Sequence, residues 1–195
     1  MQKGKKYLIF ILILVLGVGL DQVSKEIANV KFGTVCNPEY PGYDITGDCP
    51  FDGDAFFTWT HIYNDGAFLS MGGDWPPAVR LIFLTILPGL LLIGTMVYFL
   101  RSKEAGMLEV VVFSLIAAGG VGNIIDRVIA GKVVDFMFMN LDIFNAGWSW
   151  AKTGIFNVAD LYIVIGVVIY LVAIFRKWIK NDKTEDETEG EVEAA

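Results

Sequence analysis

The chain has few of the side chains that metalloenzymes and enzymes with a covalent intermediate rely on. Its 195 residues include one histidine, His61, and two cysteines, Cys36 and Cys49, without a Cys-x-x-Cys spacing. A zinc site normally takes four ligands, mostly Cys and His, so we expect neither a metal ion nor a cofactor. A single disulfide between Cys36 and Cys49 is compatible with an oxidising compartment.

Several sequence motifs of other protein classes are also missing. The chain has no GxxxxGK[ST] phosphate-binding loop and no GxSxG nucleophile motif. It has no basic stretch interleaved with aromatic residues, which single-stranded nucleic acids commonly require. We therefore expect no nucleotide-dependent activity of the phosphate-loop type, no serine esterase and no nucleic-acid partner.

Long apolar blocks dominate what is present. Hydrophobic residues make up 54% of the chain, and the mean hydropathy is +0.54. Four blocks, at about 7–29, 78–100, 107–126 and 156–175, approach the roughly 20 residues that a helix needs to cross a bilayer. The sequence predicts an α-helical integral membrane protein with four transmembrane helices.

Basic residues predict how these helices are oriented. They occur before the first block, between the second and third, and after the fourth: Lys3, Lys5, Lys6, Arg101, Lys103, Arg176, Lys177 and Lys180. By the positive-inside rule this side is cytoplasmic, with both termini. Aromatic and β-branched residues at 55–62 predict short strands in the first outer loop. Residues 1–180 are expected to form one domain, and the acidic residues 181–195 a disordered cytoplasmic tail.

Polar residues interrupt the apolar blocks near one predicted face of the membrane. Each ionisable group in a span costs a few kcal/mol, so each needs a reason. The first, third and fourth helices contribute most of them, and the outer loops add the rest: Asp21, Lys25, Asn123, Asp126, Arg127, Asn157, Asp160, Asn64, Gly66 and Asp135. Structural explanations exist for some. Asp21 and Lys25 can neutralise each other at i,i+4 spacing, and asparagines can join helices.

Carboxylates are the acid–base groups that this set offers. Two carboxylates held close together share a proton, so one can activate water while the other protonates a carbonyl oxygen. Asp126, Asp135 and Asp160 are the three candidates, and the residues alone do not choose between them. A proton-coupled small membrane transporter and a non-catalytic scaffold are the alternatives, because both also place polar groups inside membranes.

Five segments in order resemble the bacterial lipoprotein signal peptidases, also called type II signal peptidases. They are Asp-Gln-Val-Ser-Lys at 21–25, Asn-Asp-Gly-Ala at 64–67, Gly-Asn-Ile-Ile-Asp-Arg at 122–127, Val-Val-Asp-Phe at 133–136 and Phe-Asn-Val-Ala-Asp at 156–160. The resemblance implies an aspartic endopeptidase of the bacterial inner membrane. It also implies the substrate, a prolipoprotein that is cut just before its diacylglyceryl-modified cysteine. Asp135 and Asp160 are the implied catalytic pair.

A physical argument favours the same pair. Asp126 is adjacent to Arg127, whose charge should keep it ionised, whereas Asp135 lies among apolar residues. We therefore interpret Asp126 as a binding or supporting residue.

The remaining polar residues receive supporting roles, and the loop departs from the family pattern. Asn64, Asn123, Arg127 and Asn157 are expected to position the peptide and the aspartates, and Asp21 and Lys25 to brace the site. Phe68 and Leu69 replace the alanine and phenylalanine that commonly follow Asn-x-Gly-Ala in the family. One chain carries both aspartates, so we expect a monomer whose partners are prolipoproteins and membrane lipid.

Overall fold

The computed structural model describes residues 3–32, 55–67, 71–102, 106–142 and 151–193. Cys36, Cys49, Phe68 and Leu69 lie outside these residues, as do the predictions made for them. The elements run in this order: α1 (Lys3–Phe32), β1 (Phe57–Asn64), α2 (Pro77–Arg80), a π-helical segment (Leu81–Ile86), α3 (Leu87–Arg101), α4 (Met107–Ala130), β2 (Val133–Met139) and α5 (Val158–Glu193). The predicted fold class, four apolar helices with a small β region, is confirmed.

Four helical stretches are long and apolar enough to cross a membrane: Gly4–Phe32, Pro77–Phe99, Met107–Ala130 and Val158–Lys180. Each overlaps one of the predicted spans. Many of their large apolar side chains are exposed, among them Leu16, Leu90 and Leu171. In a soluble protein such surfaces would be covered, whereas lipid solvates them at no cost. The chain is therefore a multi-pass membrane protein.

Helix α5 is longer than the sequence suggested. It continues to Glu193, where a disordered tail was predicted from residue 181. Glutamate, which occurs five times between residues 181 and 193, is a good helix former, and the run contains no proline. The disordered tail from residue 181 stays a prediction.

The second membrane-crossing stretch is irregular at its start. The short helix α2 leads into the π-helical segment, and α3 follows directly, with Pro88 in its first turn. A proline nitrogen cannot donate to the preceding turn, so a change in hydrogen-bond pattern just before it is physically reasonable.

Helix α4 is the centre of the bundle, where it packs mainly against α1 and α5. Small residues allow the close approach. A Cβ atom on Gly17 would lie 2.7 Å from the Ala118 side chain, and one on Gly119 would overlap the Ala159 carbonyl oxygen. A Cβ on Gly122 would overlap the Asp21 carboxylate. Glycines at these contacts let polar groups on three helices meet.

Strands β1 and β2 form a two-stranded antiparallel sheet at the end of the bundle where α1 ends and α5 begins, which we call the sheet end. The pairing is irregular between Trp59 and Ile62: Trp59 lies opposite Met137, whereas Ile62 lies opposite Asp135. Two residues, Thr60 and His61, therefore fit against one residue of β2, which is the count of a β-bulge.

At the opposite end, an apolar cluster joins α1, α3 and α4 through Phe10, Phe99, Val110 and Ala117.

Candidate active site

The sheet brings Asn64 to Asp135. Asp135 is 2% exposed on β2, and Asn64 at the end of β1 donates from Nδ2 to its Oδ2 at 2.9 Å. The Asn64 Oδ1 atom accepts from the Gly66 backbone N–H at 2.9 Å, which fixes the side-chain orientation. A turn residue that bonds to its own loop is a common use of asparagine. Asn64 is thus held with a donor aimed at Asp135.

The start of α5 contributes Asn157 and Asp160. Their side chains each accept from the other's backbone: Asp160 N–H donates to Asn157 Oδ1 at 3.0 Å, and Asn157 N–H donates to Asp160 Oδ2 at 3.1 Å. This reciprocal pattern is a capping box, which satisfies N–H groups that the first helical turn leaves free. The cap leaves the Asn157 amide N–H₂ group available for other partners.

That amide group links the two aspartates. Asn157 Nδ2 donates to Asp135 Oδ1 at 2.6 Å, while the backbone of Asn157 binds Asp160. The same Nδ2 atom also donates to Asn123 Oδ1 at 3.1 Å, and Asn123 Nδ2 donates to Asp160 Oδ1 at 2.9 Å. Asn123 on α4 and Asn157 just before α5 therefore connect the carboxylates of Asp135 and Asp160 through hydrogen bonds.

Lys25 supports this arrangement from α1. Its Nζ atom lies 2.8 Å from Asp21 Oδ2 and 2.8 Å from Asp126 Oδ2, and it donates to Asn123 Oδ1 at 3.0 Å. Asp21 in turn accepts from the Ala159 backbone N–H at 2.9 Å. The i,i+4 pair of Asp21 and Lys25 is thus present, and it is connected to α4 and α5 rather than isolated.

The sequence argument that excluded Asp126 from the catalytic pair named Arg127 as its cation, and this partner was wrong. The cation paired with Asp126 is Lys25, not the adjacent Arg127, because neighbouring helix positions point about 100° apart. Arg127 instead donates from Nη2 to the Gly66 carbonyl oxygen at 2.8 Å. Its Nε atom has no hydrogen-bond partner among the described residues. Asp126 belongs to the lysine network, and Arg127 to the loop after β1.

Gln22 is a polar residue of this site to which the sequence analysis gave no role. Its Nε2 atom donates to Asp126 Oδ1 at 2.9 Å and lies 3.2 Å from Asp21 Oδ2. Gln22, like Asn123, is an amide inside an apolar span and costs free energy to desolvate. That cost could have identified Gln22 from the sequence.

The electrostatic environment of Asp135 suits a shared proton. Burial raises the pKa of Asp135 to about 7, and repulsion from Asp160 acts in the same direction. The hydrogen bonds from Asn64 and Asn157 oppose the rise without cancelling it. Asp135 can therefore hold or release a proton near neutral pH, as a general acid must.

The site has a cavity beside it. A cavity of about 130 Å³ lies beside Arg127, between the start of the second span and the end of α4, with Asp65, Arg80, Leu84 and Thr85 on its walls. Among the described residues, no three His, Cys, Asp or Glu side chains are grouped as metal ligands would be. The arrangement offers acid–base chemistry by carboxylates, with amide and guanidinium donors around them.

Comparisons with known proteins agree on one family. The family model for signal peptidase (SPase) II matches residues 12–176. The lipoprotein signal peptidase of Aeromonas hydrophila is 36% identical over 177 residues, which cover 87% of this chain and 90% of that protein. The lipoprotein signal peptidase of Borreliella burgdorferi is 33% identical, covering 89% and 93%.

Solved structures agree in fold. A bacterial membrane enzyme determined by the in meso method at 2.3 Å resolution superposes with a TM-score of 0.62 and 30% identity, covering 86% of this chain and 87% of the other. A second such enzyme, at 1.9 Å resolution, gives a TM-score of 0.61 and 31% identity, covering 85% and 91%.

Proposed function

This chain belongs to the signal peptidase II family, and on that premise we propose that it is an aspartic endopeptidase of prolipoproteins. It removes the signal peptide by cutting just before a cysteine that carries diacylglyceryl. The relatives are lipoprotein signal peptidases by name, which supports the substrate class. Family membership makes the protein a peptidase. We propose in addition which residues are catalytic and where the substrate is cut.

One observation carries the choice of catalytic pair. Asn157 binds Asp135 through its side chain and Asp160 through its backbone, so that both carboxylates belong to one hydrogen-bonded unit. Asp126 is instead engaged by Lys25 and Gln22. Both carboxylate oxygens of Asp126 are therefore occupied by side chains of α1. The pair Asp135 and Asp160 supports catalysis better than any pair that includes Asp126.

The environments assign different tasks to the two aspartates. Asp160 lies in the first turn of α5 and accepts hydrogen bonds from Asn123 Nδ2 and from the Asn157 backbone N–H. Asp135 is buried, and its pKa is raised to about 7. Asp160 is therefore the base and Asp135 the acid at the start of the reaction.

The reaction then proceeds without a covalent intermediate. Asp160 takes a proton from water as the water oxygen attacks the carbonyl carbon before the lipidated cysteine, and Asp135 protonates the carbonyl oxygen. The tetrahedral diol collapses as Asp160 passes its proton to the leaving amine and the C–N bond breaks. Asp135 recovers a proton from the diol hydroxyl, which restores both carboxyl groups.

Arg127 and the asparagines bind and position the reactants. Arg127 lines the cavity beside the site, where its guanidinium can bind a peptide carbonyl oxygen of the substrate. Asn64 and Asn123 hold Asp135 and Asp160 respectively, and Asp21 and Lys25 brace Asn123 and α5. Preorganised donors of this kind lower the barrier because they need not reorient during the reaction.

The distribution of basic residues supports the placement in the membrane. With the termini in the cytoplasm, the sheet end faces the outer side of the bacterial inner membrane, where a lipid-modified substrate is anchored. Both proposed aspartates come from one chain, so the peptidase acts as a monomer. Membrane lipid surrounds the exposed apolar faces of the helices.

The test is cleavage of a diacylglyceryl-modified prolipoprotein by the purified protein. Wild type should cut. Asp135→Asn and Asp160→Asn should each lose at least about 10²-fold in kcat, because the amide keeps the shape but cannot carry the proton. Asp74→Asn, at an exposed turn, is the matched control and should cut normally.

Other outcomes have definite meanings. If Asp135→Asn still cuts and Asp126→Asn does not, Asp126 is the second acid. If wild type is inert toward a good substrate, the peptidase proposal fails and proton-coupled transport becomes the next function to test. No feature of the described residues favours transport at present, since the polar groups gather at one end of the bundle rather than at its middle.

A further inference from the structure

The polar stripe on α1 extends beyond Asp21 and Lys25. Asn29 follows Lys25 by another four residues, so all three side chains lie on one face of the helix. Asp21 contacts α5, and Lys25 contacts α4. Asn29 contacts β1 through His61. One face of α1 thus makes polar contacts with α4, α5 and β1, each of which carries a proposed residue of the site.

His61 is the buried end of the third connection. Its side chain is completely buried, and its Nε2 atom donates to Asn29 Oδ1 at 2.7 Å. The Tyr63 ring packs edge-on against it, with 4.8 Å between the ring centroids. Burial lowers the pKa of His61, so the imidazole stays neutral. A neutral, buried histidine with one strong hydrogen bond orients the backbone that carries it.

The position of His61 in the β-bulge matters for Asn64. Residues on one face of a strand alternate, and Trp59 lies opposite Met137. Without the bulge the alternation would place residue 61 opposite Asp135, and Tyr63 would be its diagonal neighbour. With the bulge, Ile62 lies opposite Asp135. Asn64 then shares the face of Asp135 and reaches it at 2.9 Å. The extra residue decides which side chain of β1 contacts the aspartate.

We propose that His61 is a positioning residue that anchors the β1 bulge to Asn29 and so keeps Asn64 against Asp135. The inference rests on the proposed function, in which Asp135 is the general acid. His61 contacts neither Asp135 nor the proposed substrate position through any interaction of the described residues; its effect passes through three residues of strand. Loss of this anchor should affect the reaction rather than substrate binding.

Glutamine and leucine separate this role from simple filling of space. His61→Gln can place an amide donor near the position of Nε2 and keep the bond to Asn29, whereas His61→Leu fills the volume without a donor. We expect His61→Leu to lower kcat at least about tenfold with little change in KM, because small misplacements of catalytic groups are costly. His61→Gln should recover most of the loss. Tyr63→Phe, which keeps the adjacent ring, is the control and should behave as wild type.

The pH profile provides a readout that a purely structural role would not move. The hydrogen bond from Asn64 lowers the pKa of Asp135, so its loss should raise that pKa further. The alkaline limb of kcat should therefore move to higher pH in His61→Leu and stay in place in His61→Gln and Tyr63→Phe. The same titration can be followed without turnover, by carbon-13 NMR of labelled aspartate carboxyl groups.

Each outcome decides the matter. A folded His61→Leu with kcat within twofold of wild type overturns the proposal, as does a lower kcat with an unmoved pH profile and unmoved carboxyl titration. If His61→Leu does not fold, Asn29→Ala removes the acceptor from the half-buried α1 position and is judged by the same measurements. A wild-type protein without activity would contradict the proposed function. The positioning role would still be tested by the carboxyl titration, which does not require turnover.

Discussion

Lys6 and Lys25 are both buried, one near each end of α1, and the protein satisfies them in different ways. Lys6, at the end opposite the sheet, donates to the carbonyl oxygens of Phe99 and Ser102, both at 2.8 Å. Its Nζ atom also lies 4.4 Å from the centroid of the Phe99 ring. Both carbonyl oxygens lie at the C-terminal end of α3, where a positive charge is favourable. Lys6 therefore acts as a C-terminal cap supplied by another helix.

Lys25, near the sheet end, has carboxylates and an amide as partners. Asp21 and Asp126 neutralise it, and Asn123 connects it to Asp160. The backbone carbonyls that bind Lys6 are fixed parts of α3. The carboxylates and the amide that bind Lys25 are side chains that also contact other groups. The two lysines are alike in burial and differ in their partners, which are backbone carbonyls for Lys6 and ionisable or amide side chains for Lys25.

The largest expected effect comes from breaking the Lys25 network. Lys25→Met should lower the free energy of unfolding by about 3–5 kcal/mol, because Asp21 and Asp126 would be left as unpaired buried charges. Cleavage should be lost, since Asn123 loses the group that orients it. Apparent Tm in detergent and prolipoprotein cleavage measure the two effects, with exposed Lys31→Met as control.

Combining Lys25→Met with Asp126→Asn should recover part of the stability, because one orphaned charge is removed. A Lys25→Met protein as stable as wild type would mean that water or lipid already solvates Asp21 and Asp126. Lys25 would then be no more important to stability than Lys6.

Asp135, at the sheet end, should determine how cleavage and folding stability depend on pH. Because the pKa of Asp135 is raised to about 7, it loses its proton above that pH, so cleavage should fall as pH rises through 7. Folding stability follows the same sign. The folded state binds the proton more tightly than the unfolded chain, so this contribution is complete below about pH 4 and is lost as pH rises through 7.

Asp135→Asn should flatten the stability profile between about pH 4 and 7, and Lys6→Met should leave it unchanged. Thermal unfolding across this range is the measurement. A profile that Asp135→Asn does not alter would mean that the proton resides on another group.

The smallest effect is expected at Lys6 itself. Lys6→Met should cost about 1.5–3 kcal/mol of stability, the range for hydrogen bonds to a charged group, with kcat unchanged. Exposed Lys5→Met is the matched control, and both variants are compared by Tm and cleavage. Loss of cleavage in a stable Lys6→Met protein would show that the end opposite the sheet takes part in the reaction.

Prediction from sequence succeeded where the physical signal is local. An apolar run of about 20 residues must span or be buried, and a charged or amide group within it is costly enough to identify Asp21, Lys25, Asn123 and Asp160. The aromatic and β-branched residues before Asn64 also marked β1 correctly.

Partners in space were harder to predict. Sequence adjacency suggested Arg127 as the cation for Asp126, but helix geometry turns the two apart, and a lysine on another helix takes that place. The β-bulge at Thr60 and His61 was equally hidden, because nothing in the alternation of β1 specifies where an extra residue is inserted.

The amino-acid sequence by itself determined the membrane class, the number of helices and the set of polar residues, because desolvation costs depend on residue type and spacing along the chain. The tertiary structure alone decided which of those residues meet. Asn157 joins Asp135 to Asp160, Lys25 rather than Arg127 pairs with Asp126, and the bulge turns Asn64 rather than Tyr63 toward Asp135. Hydrogen bonds act over about 3 Å, and only the packing of α1, α4, α5 and the sheet brings these groups within that distance.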